Sequence, residues 1–290
     1  ASRILHLVQS GTDNRLSALT LEPQRVLPLS WLWNTSFLVR NAPLPLADGG
    51  MVLPAHFEIG IKYPVALRFD REGRFLGMVR LSQRKHLLQP TLLAQSPQQW
   101  LALMRNNHPG ALIPAVQTKD GGQTWQDLPD LALANPDAAV AALSLAPGQM
   151  LLAHNNTPRS RSGLELSSSA NGLQWQGMQA LAHGAEDQEF SYPALAWAGD
   201  ALWVSYTEQR RSIAWQRFTV PPSTHPAVLS AAVPAVVPSA VSSAVSPAMA
   251  TSAAHTSRSQ VNPICQGRGR RCADSAPAPA ANPYKLAVQP

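Results

Sequence analysis

Short apolar segments recur along this chain about every 50 residues, and each lies beside a turn rich in Gly, Pro or Asp. One series follows the turns, at residues 51–56, 100–105, 150–154 and 202–206. Another series precedes the turns, at residues 36–40, 90–94, 138–143 and 192–197. Runs this short between turns favour β-strands over helices, even where Leu, Ala and Met are frequent. The repeat length is that of one four-stranded blade of a β-propeller, and a β-sandwich is the alternative all-β fold.

A polar turn motif has the same period as the apolar segments. Its complete copy reads Thr118-Lys119-Asp120-Gly121-Gly122-Gln123-Thr124-Trp125, which has the form Ser/Thr-x-Asp-x-Gly-x-Thr-Trp. Asp70 and Asn171 lie at the place of Asp120 in two degraded copies, 50 residues earlier and 51 residues later. The Asp carboxylate can accept backbone N–H groups inside a tight turn, and Gly allows the positive φ that such a turn needs. We therefore expect these turns to cap hairpins in successive blades.

This turn motif resembles the Asp-box, or BNR repeat, of the sialidase superfamily, in which it has a structural role. A second similarity covers residues 189–195 and Tyr206-Thr207-Glu208-Gln209-Arg210-Arg211-Ser212-Ile213, which resemble the last blade of the bacterial BNR-like branch. The resemblance implies an all-β, sialidase-like β-propeller of the six-bladed type over residues 1–220. About four blades and a part can be traced in the sequence, so we expect the chain to lack its first blades.

The resemblance also implies a catalytic tyrosine. Sialidases have a Tyr nucleophile at the position of Tyr192, because a neutral phenol approaches the anionic sugar with less repulsion than a carboxylate would. The phenol needs a carboxylate base, since its reference pKa is near 10. Gln89 stands where that carboxylate is expected, and an amide cannot accept the proton. Glu58, beside His56, is the remaining candidate base. The alternative for this pair is a surface Glu next to a packed His. The alternative for Tyr192 is a side chain that only packs at the start of its strand.

Arginines are expected to hold the carboxylate of the substrate. A planar guanidinium binds a carboxylate through two parallel hydrogen bonds. Arg105 and Arg161 match two of the three sialidase arginines by their places in the blades. The third arginine and the Asp acid/base belong to the blades that we expect to be absent. With His56 and Gln89, the two arginines are expected to contact an acidic glycan or a sialoside-like sugar.

These residues predict a sialidase-like exo-glycosidase with weak or no activity in this chain. The alternative is a non-catalytic propeller that binds acidic glycans or a protein partner through the same central face. The sequence contains no phosphate-binding Gly loop, no metal-ligand cluster and no Ser or Cys nucleophile motif. We therefore expect no cofactor and no metal ion.

Charge and composition limit the other function classes. The net charge is +6, but most of the excess lies in residues 221–290, so we expect no nucleic-acid partner. This segment is rich in Pro, Ala and Ser, which predicts a disordered tail, and it contains both cysteines, Cys265 and Cys272. No apolar run is long enough for a membrane span. The sequence begins at Ala1 without a leader. Two alternatives explain this: a signal peptide was removed, which implies a secreted or periplasmic location, or the sequence is a fragment.

Overall fold

The computed structural model describes residues 3–9, 19–27, 29, 36–108, 111–219 and 287–288, with the backbone alone for residues 3–9, 19–26 and 287–288. The described part is all-β, and its strands form four main sheets arranged as the blades of a propeller. This confirms the predicted fold class and excludes the β-sandwich.

The strands follow the order of the chain. Two N-terminal strands form a hairpin, β1 (Arg3–Gln9) and β2 (Leu19–Val26). The first sheet contains β3 (Phe37–Val39), β4 (Leu44–Pro45), β5 (Met51–Phe57), β6 (Tyr63–Phe69) and β7 (Phe75–Arg80). The next strands are β8 (Leu87–Ala94), β9 (Trp100–Asn106), β10 (Ala111–Leu112), β11 (Ala115–Thr118), β12 (Gln126–Asp127) and β13 (Ala134–Asn135). Of these, β8, β9, β11 and β12 form the second sheet, while β10 pairs with β13.

The last two sheets repeat the same antiparallel meander. The third sheet consists of β14 (Ala141–Ala146), β15 (Gln149–Asn155), β16 (Gly163–Ser169) and β17 (Gln176–His183). The fourth consists of β18 (Phe190–Ala198), β19 (Ala201–Glu208), β20 (Ser212–Thr219) and β21 (Ala287–Val288). Contacts between neighbouring sheets are made mainly by the first strands of the last three sheets, because β8 lies against β5 and β14, and β14 lies against β18. The strands β8, β14 and β18 therefore line the centre of the arrangement.

The apolar core lies between successive sheets, so a strand inside a blade is covered on both faces. In β9, Trp100 and Met104 face the first sheet, whereas Leu101 and Leu103 face the third. All four side chains are buried. Double-sided burial explains why residues 100–104 form a continuous apolar run rather than an alternating one. Burying each such side chain favours folding by about 1.5–3 kcal/mol relative to leaving it exposed.

The predicted turns join the third and fourth strands of the first three sheets. In the complete copy, Asp120 accepts the backbone N–H of Gln123 at 2.9 Å and that of Thr124 at 2.9 Å. The hydroxyl of Thr118 donates to the Asp120 carboxylate at 2.7 Å, and the Trp125 indole donates to the Gly122 carbonyl at 3.2 Å. Hydrogen bonds from Thr124 and Thr118 hold the pKa of Asp120 well below its usual value. The turn is thus a closed hydrogen-bonded unit whose role is structural.

The third copy keeps this geometry with an amide in place of the carboxylate. The Asn171 side-chain oxygen accepts the N–H groups of Leu173 and Gln174, both at 2.9 Å. Trp175 donates to the Gly172 carbonyl at 2.9 Å, as Trp125 does to Gly122. One acceptor oxygen is therefore sufficient to close the turn.

The predicted tail, residues 221–290, lies outside the described residues except for β21. The two residues of β21 pair with Phe218 and Thr219 at the edge of the fourth sheet. Disorder of the tail stays a prediction. Cys265 and Cys272 lie outside the described residues. The boundary near residue 220 stays a prediction.

Candidate active site

Gln89, Asp137 and Tyr192 lie in or shortly before the first strands of three successive sheets and have a left-handed backbone, although none of them is glycine. Their φ values are 52° at Gln89, 51° at Asp137 and 53° at Tyr192. Gln89 and Tyr192 both precede a proline, and the strand register shifts by one residue at each of them. These are β-bulges, which re-aim a side chain away from the ladder. A left-handed conformation costs a non-glycine residue about 1–2 kcal/mol, and such strain is concentrated at functional sites.

The bulge at Tyr192 brings the fourth sheet into contact with the first. Tyr192 is 40% exposed, and the guanidinium of Arg40 lies 5.7 Å from the centroid of its ring. Arg40 follows β3 and donates hydrogen bonds to the side chain of Asn41 and to the carbonyl of Pro193. Asn41 in turn donates to the carbonyl of Gln89 at 3.1 Å. One short segment of the first sheet therefore contacts both bulges.

Arg40 is a half-buried cation with no carboxylate partner in the described part of the chain. Its Nε atom is buried and makes no hydrogen bond there. Burial lowers the pKa of Arg40 to about 10, partly offset by Tyr192, while the nearby charge of Arg105 lowers it further. At neutral pH Arg40 is still protonated, so it contributes an uncompensated positive charge to the centre.

Arg105 and Gln89 are brought together beside Tyr192. The Nε of Arg105 donates to the Asp137 carboxylate at 2.6 Å, and its Nη1 lies 3.4 Å from the Gln89 side-chain oxygen. Burial lowers the pKa of Arg105, but Asp137 and, more weakly, the Tyr192 phenol raise it above its usual value. The Gln89 side chain and the Tyr192 phenol therefore both interact with Arg105.

Arg161 is held by protein acceptors at both ends of its guanidinium. Its Nη1 donates to Glu189 at 3.0 Å, and its Nη2 donates to the Asp137 carbonyl. Glu189 also accepts hydrogen bonds from Ser191 at 2.7 Å and from Arg210 at 2.7 Å. Burial raises the pKa of Glu189, but these hydrogen bonds outweigh it, so the net pKa is lowered and the carboxylate stays ionised.

His56 and Glu58 lie together at the inner edge of the first sheet. Their closest nitrogen and oxygen atoms are 3.5 Å apart, with the His56 side chain 2% exposed and Glu58 42% exposed. Burial lowers the pKa of His56, Glu58 raises it, and the charge of Arg105 lowers it, with a net decrease. Among the described side chains, no hydrogen bond or ion pair links Glu58 to Tyr192. Both ring nitrogens of His56 lack a hydrogen-bond partner among the described residues, so Glu58 is a close neighbour of His56 and not its hydrogen-bonded partner.

Three residues at this centre were not identified from the sequence: Arg40, Asp137 and Glu189. The proline beside each bulge was an available signal, because proline inside a strand is typical of a bulge.

Among the described residues, no group of three or more His, Cys, Asp or Glu side chains could hold a metal ion. The same part of the chain has no helix that is long and apolar enough to cross a membrane.

Solved structures of similar architecture are sialidases. Trypanosoma rangeli sialidase in complex with the inhibitor DANA matches with a TM-score of 0.56 and 14% identity, over 74% of this chain and 38% of that one. The complex of the same enzyme with sialic acid matches with a TM-score of 0.52 and 14% identity, over 73% and 37%. The Hadza microbial sialidase Hz136 matches with a TM-score of 0.50 and 16% identity, over 61% and 36%. The chain therefore spans less than two fifths of these sialidases, and identities this low support the fold alone.

Sequence comparison defines the family. No curated protein matches the chain. The family model described as a BNR repeat-like domain matches residues 6–204, which is more than half of the sequence. This range includes all three Asp-box turns and the residues of the central site. The chain therefore belongs to the BNR repeat-like domain family.

Proposed function

We propose that the central face binds the carboxylate of a sialic-acid-like sugar through Arg40 and Arg105, above the ring of Tyr192. The observation that carries this proposal is the half-buried Arg40, whose Nε is fully buried and which lacks a carboxylate partner in the described part of the chain. A buried charge is costly unless it is paired, so an anionic ligand would supply the missing partner. The sialic acid in the Trypanosoma rangeli sialidase complex is a ligand of this chemical class.

Arg105 supports the same ligand chemistry. Only the Nε of the Arg105 guanidinium donates to a carboxylate. Its terminal nitrogens, near Tyr192, can therefore donate to the carboxylate of a ligand. Arg161, whose two terminal nitrogens already have protein acceptors, holds the cluster together and has less capacity for a ligand. The carboxylate clamp that we propose therefore consists of Arg40 and Arg105, with Arg161 behind them.

We further propose that hydrolysis by this chain is weak or absent. Tyr192 is the candidate nucleophile, but the Gln89 amide cannot take its proton, and Glu58 lies next to His56. General acid–base assistance is commonly worth about 10²–10⁴-fold in rate. A site that binds the sugar without a base next to the phenol would behave as a glycan receptor or as a very slow glycosidase.

Binding of sialic acid to an Arg40→Gln variant tests the proposal. Hydrogen bonds to charged groups are worth about 1.5–3 kcal/mol, so calorimetry at low salt should show affinity reduced by about 10- to 150-fold. The matched control is Arg71→Gln, which removes an exposed arginine from an outer turn and should bind like the wild type. Tyr192→Phe keeps the ring beneath Arg40 and should change affinity only slightly. Absence of binding by the wild-type chain, or equal affinity in the wild type and the Arg40 variant, would refute the proposed site.

A further inference from the structure

Asp137 contacts two of the three central arginines at once. Its carboxylate accepts the Nε of Arg105 at 2.6 Å and lies 4.0 Å from Nη2 of Arg161. Its backbone carbonyl also accepts a hydrogen bond from Arg161. Asp137 therefore connects the second and third sheets at the centre of the face and holds two like charges together.

The position of Asp137 is fixed by its surroundings. The side chain of Asn135 accepts the N–H groups of Asn106 at 3.1 Å and of Ala138 at 3.2 Å, so it binds the backbone on both sides of the turn. Burial raises the pKa of Asp137, but hydrogen bonds from Arg105 and Asn107 outweigh this effect and lower it overall. The carboxylate is therefore an ionised and built-in part of the site.

The charges at the centre nearly balance. Three arginines, Arg40, Arg105 and Arg161, face two ionised carboxylates, Asp137 and Glu189, which leaves one positive charge. Two further groups at the rim carry opposite charges: Arg210, whose side chain is 74% exposed, and Glu58, whose side chain is 42% exposed. The His56 ring is buried and, because its pKa is lowered, neutral at neutral pH. The site therefore has one unmatched positive charge for a ligand.

We infer that Asp137 is a specificity-determining positioning residue, which aligns Arg105 and restricts the site to sugars with a single negative charge. This inference rests on the proposed function of the central face. A monoanionic carboxylate would neutralise the one unmatched charge. A dianionic group in the same place would have its second charge close to Asp137, with no unpaired cation to balance it among the described residues of the centre. A charge within about 4–6 Å of an ionisable group changes its ionisation equilibrium by about 10- to 1,000-fold, so we expect an effect of this size on binding of the second charge.

The test compares sialic acid with a phosphonate analogue of the same sugar, which is largely dianionic at about pH 8.5. Wild-type protein should bind the carboxylate at least about tenfold more tightly than the phosphonate. Asp137→Asn should reduce this preference by about tenfold or more, whereas Asp137→Glu should retain it. Asp130→Asn is the matched control, because it removes a carboxylate from a different arginine pair and should keep the wild-type preference.

Each outcome separates this inference from the proposed function. If the wild type binds neither sugar, the proposed function fails. If the wild type binds sialic acid through Arg40 but folded Asp137→Asn keeps the wild-type preference, the inference about Asp137 alone is wrong. If Asp137→Asn does not fold, Glu189→Gln removes the other carboxylate of the cluster and should change the preference in the same direction. An unchanged preference in that variant would equally overturn the inference.

Discussion

Substitution of Gly122 by alanine is a sensitive test of the Asp-box packing. Gly122 has a φ of 88°, and a Cβ atom there would lie 2.5 Å from Cζ3 of the Trp100 indole. That indole is 2% exposed, and its Nε1 donates to the Ser96 carbonyl at 3.1 Å, so the ring has little freedom to move away. The variant therefore combines backbone strain with a steric clash in the core between the first and second sheets.

The two costs can be separated with a second glycine. Gly73 also has a positive φ, of 72°, but a Cβ atom there would have no neighbour within 4 Å. The left-handed backbone alone costs a non-glycine residue about 1–2 kcal/mol, which is the loss expected for Gly73→Ala. Overpacking adds about 1–3 kcal/mol, so Gly122→Ala should lose about 2–5 kcal/mol in total.

Urea unfolding followed by tryptophan fluorescence measures both losses. The midpoint should fall more for Gly122→Ala than for Gly73→Ala, with the slope of free energy against urea unchanged in both. Equal midpoints for the two variants would show that Trp100 does not pack against the turn as described. Loss of sialic acid binding in a Gly122→Ala protein that remains folded would contradict the purely structural role of the turn.

Two further results are expected. Gln89→Glu should raise release of a fluorescent aglycone from an aryl sialoside by about 10²–10⁴-fold, because a carboxylate then faces Tyr192; a folded variant without this gain would contradict the nucleophile assignment. Burial lowers the pKa of both His56 and His154, so unfolded histidines take up protons at a higher pH than the folded ones. As the pH falls below about 6.5, the free energy of unfolding should therefore decrease by up to about 1.4 kcal/mol per pH unit for each histidine. His154→Gln should reduce this dependence on pH in urea titrations. An unchanged dependence on pH would contradict burial of a neutral ring.

The repeating part of the fold could be predicted from the sequence because its signals are local. The apolar run at residues 100–105 and the turn around Asp120 each fix a structure within a few residues of themselves. Their spacing then predicted the blades, since identical units stack in the same way. The paired strands and the turns at Asp70 and Asn171 follow this spacing in the structure.

The centre of the site was less predictable because its partners are far apart in sequence. Arg40 donates to Pro193, 153 residues away, and follows a strand of only three residues without a recognisable motif. Arg40 was not among the residues selected from the sequence, and the structure places it beside Tyr192. Glu189 was likewise noted only as the start of a motif, and its contact with Arg161 follows from the packing of the third sheet against the fourth.

One backbone geometry places three different side chains at the centre of this protein. Gln89, Asp137 and Tyr192 share a left-handed φ near the start of consecutive inner strands, and each lies next to a proline. The backbone strain at the three positions is therefore much the same, and they differ in carrying an amide, a carboxylate and a phenol. If the proposed function is right, the balance between binding and hydrolysis depends on the side chain at position 89, where the scaffold holds an amide. A single isosteric substitution there would change the chemistry and leave the strained backbone in place.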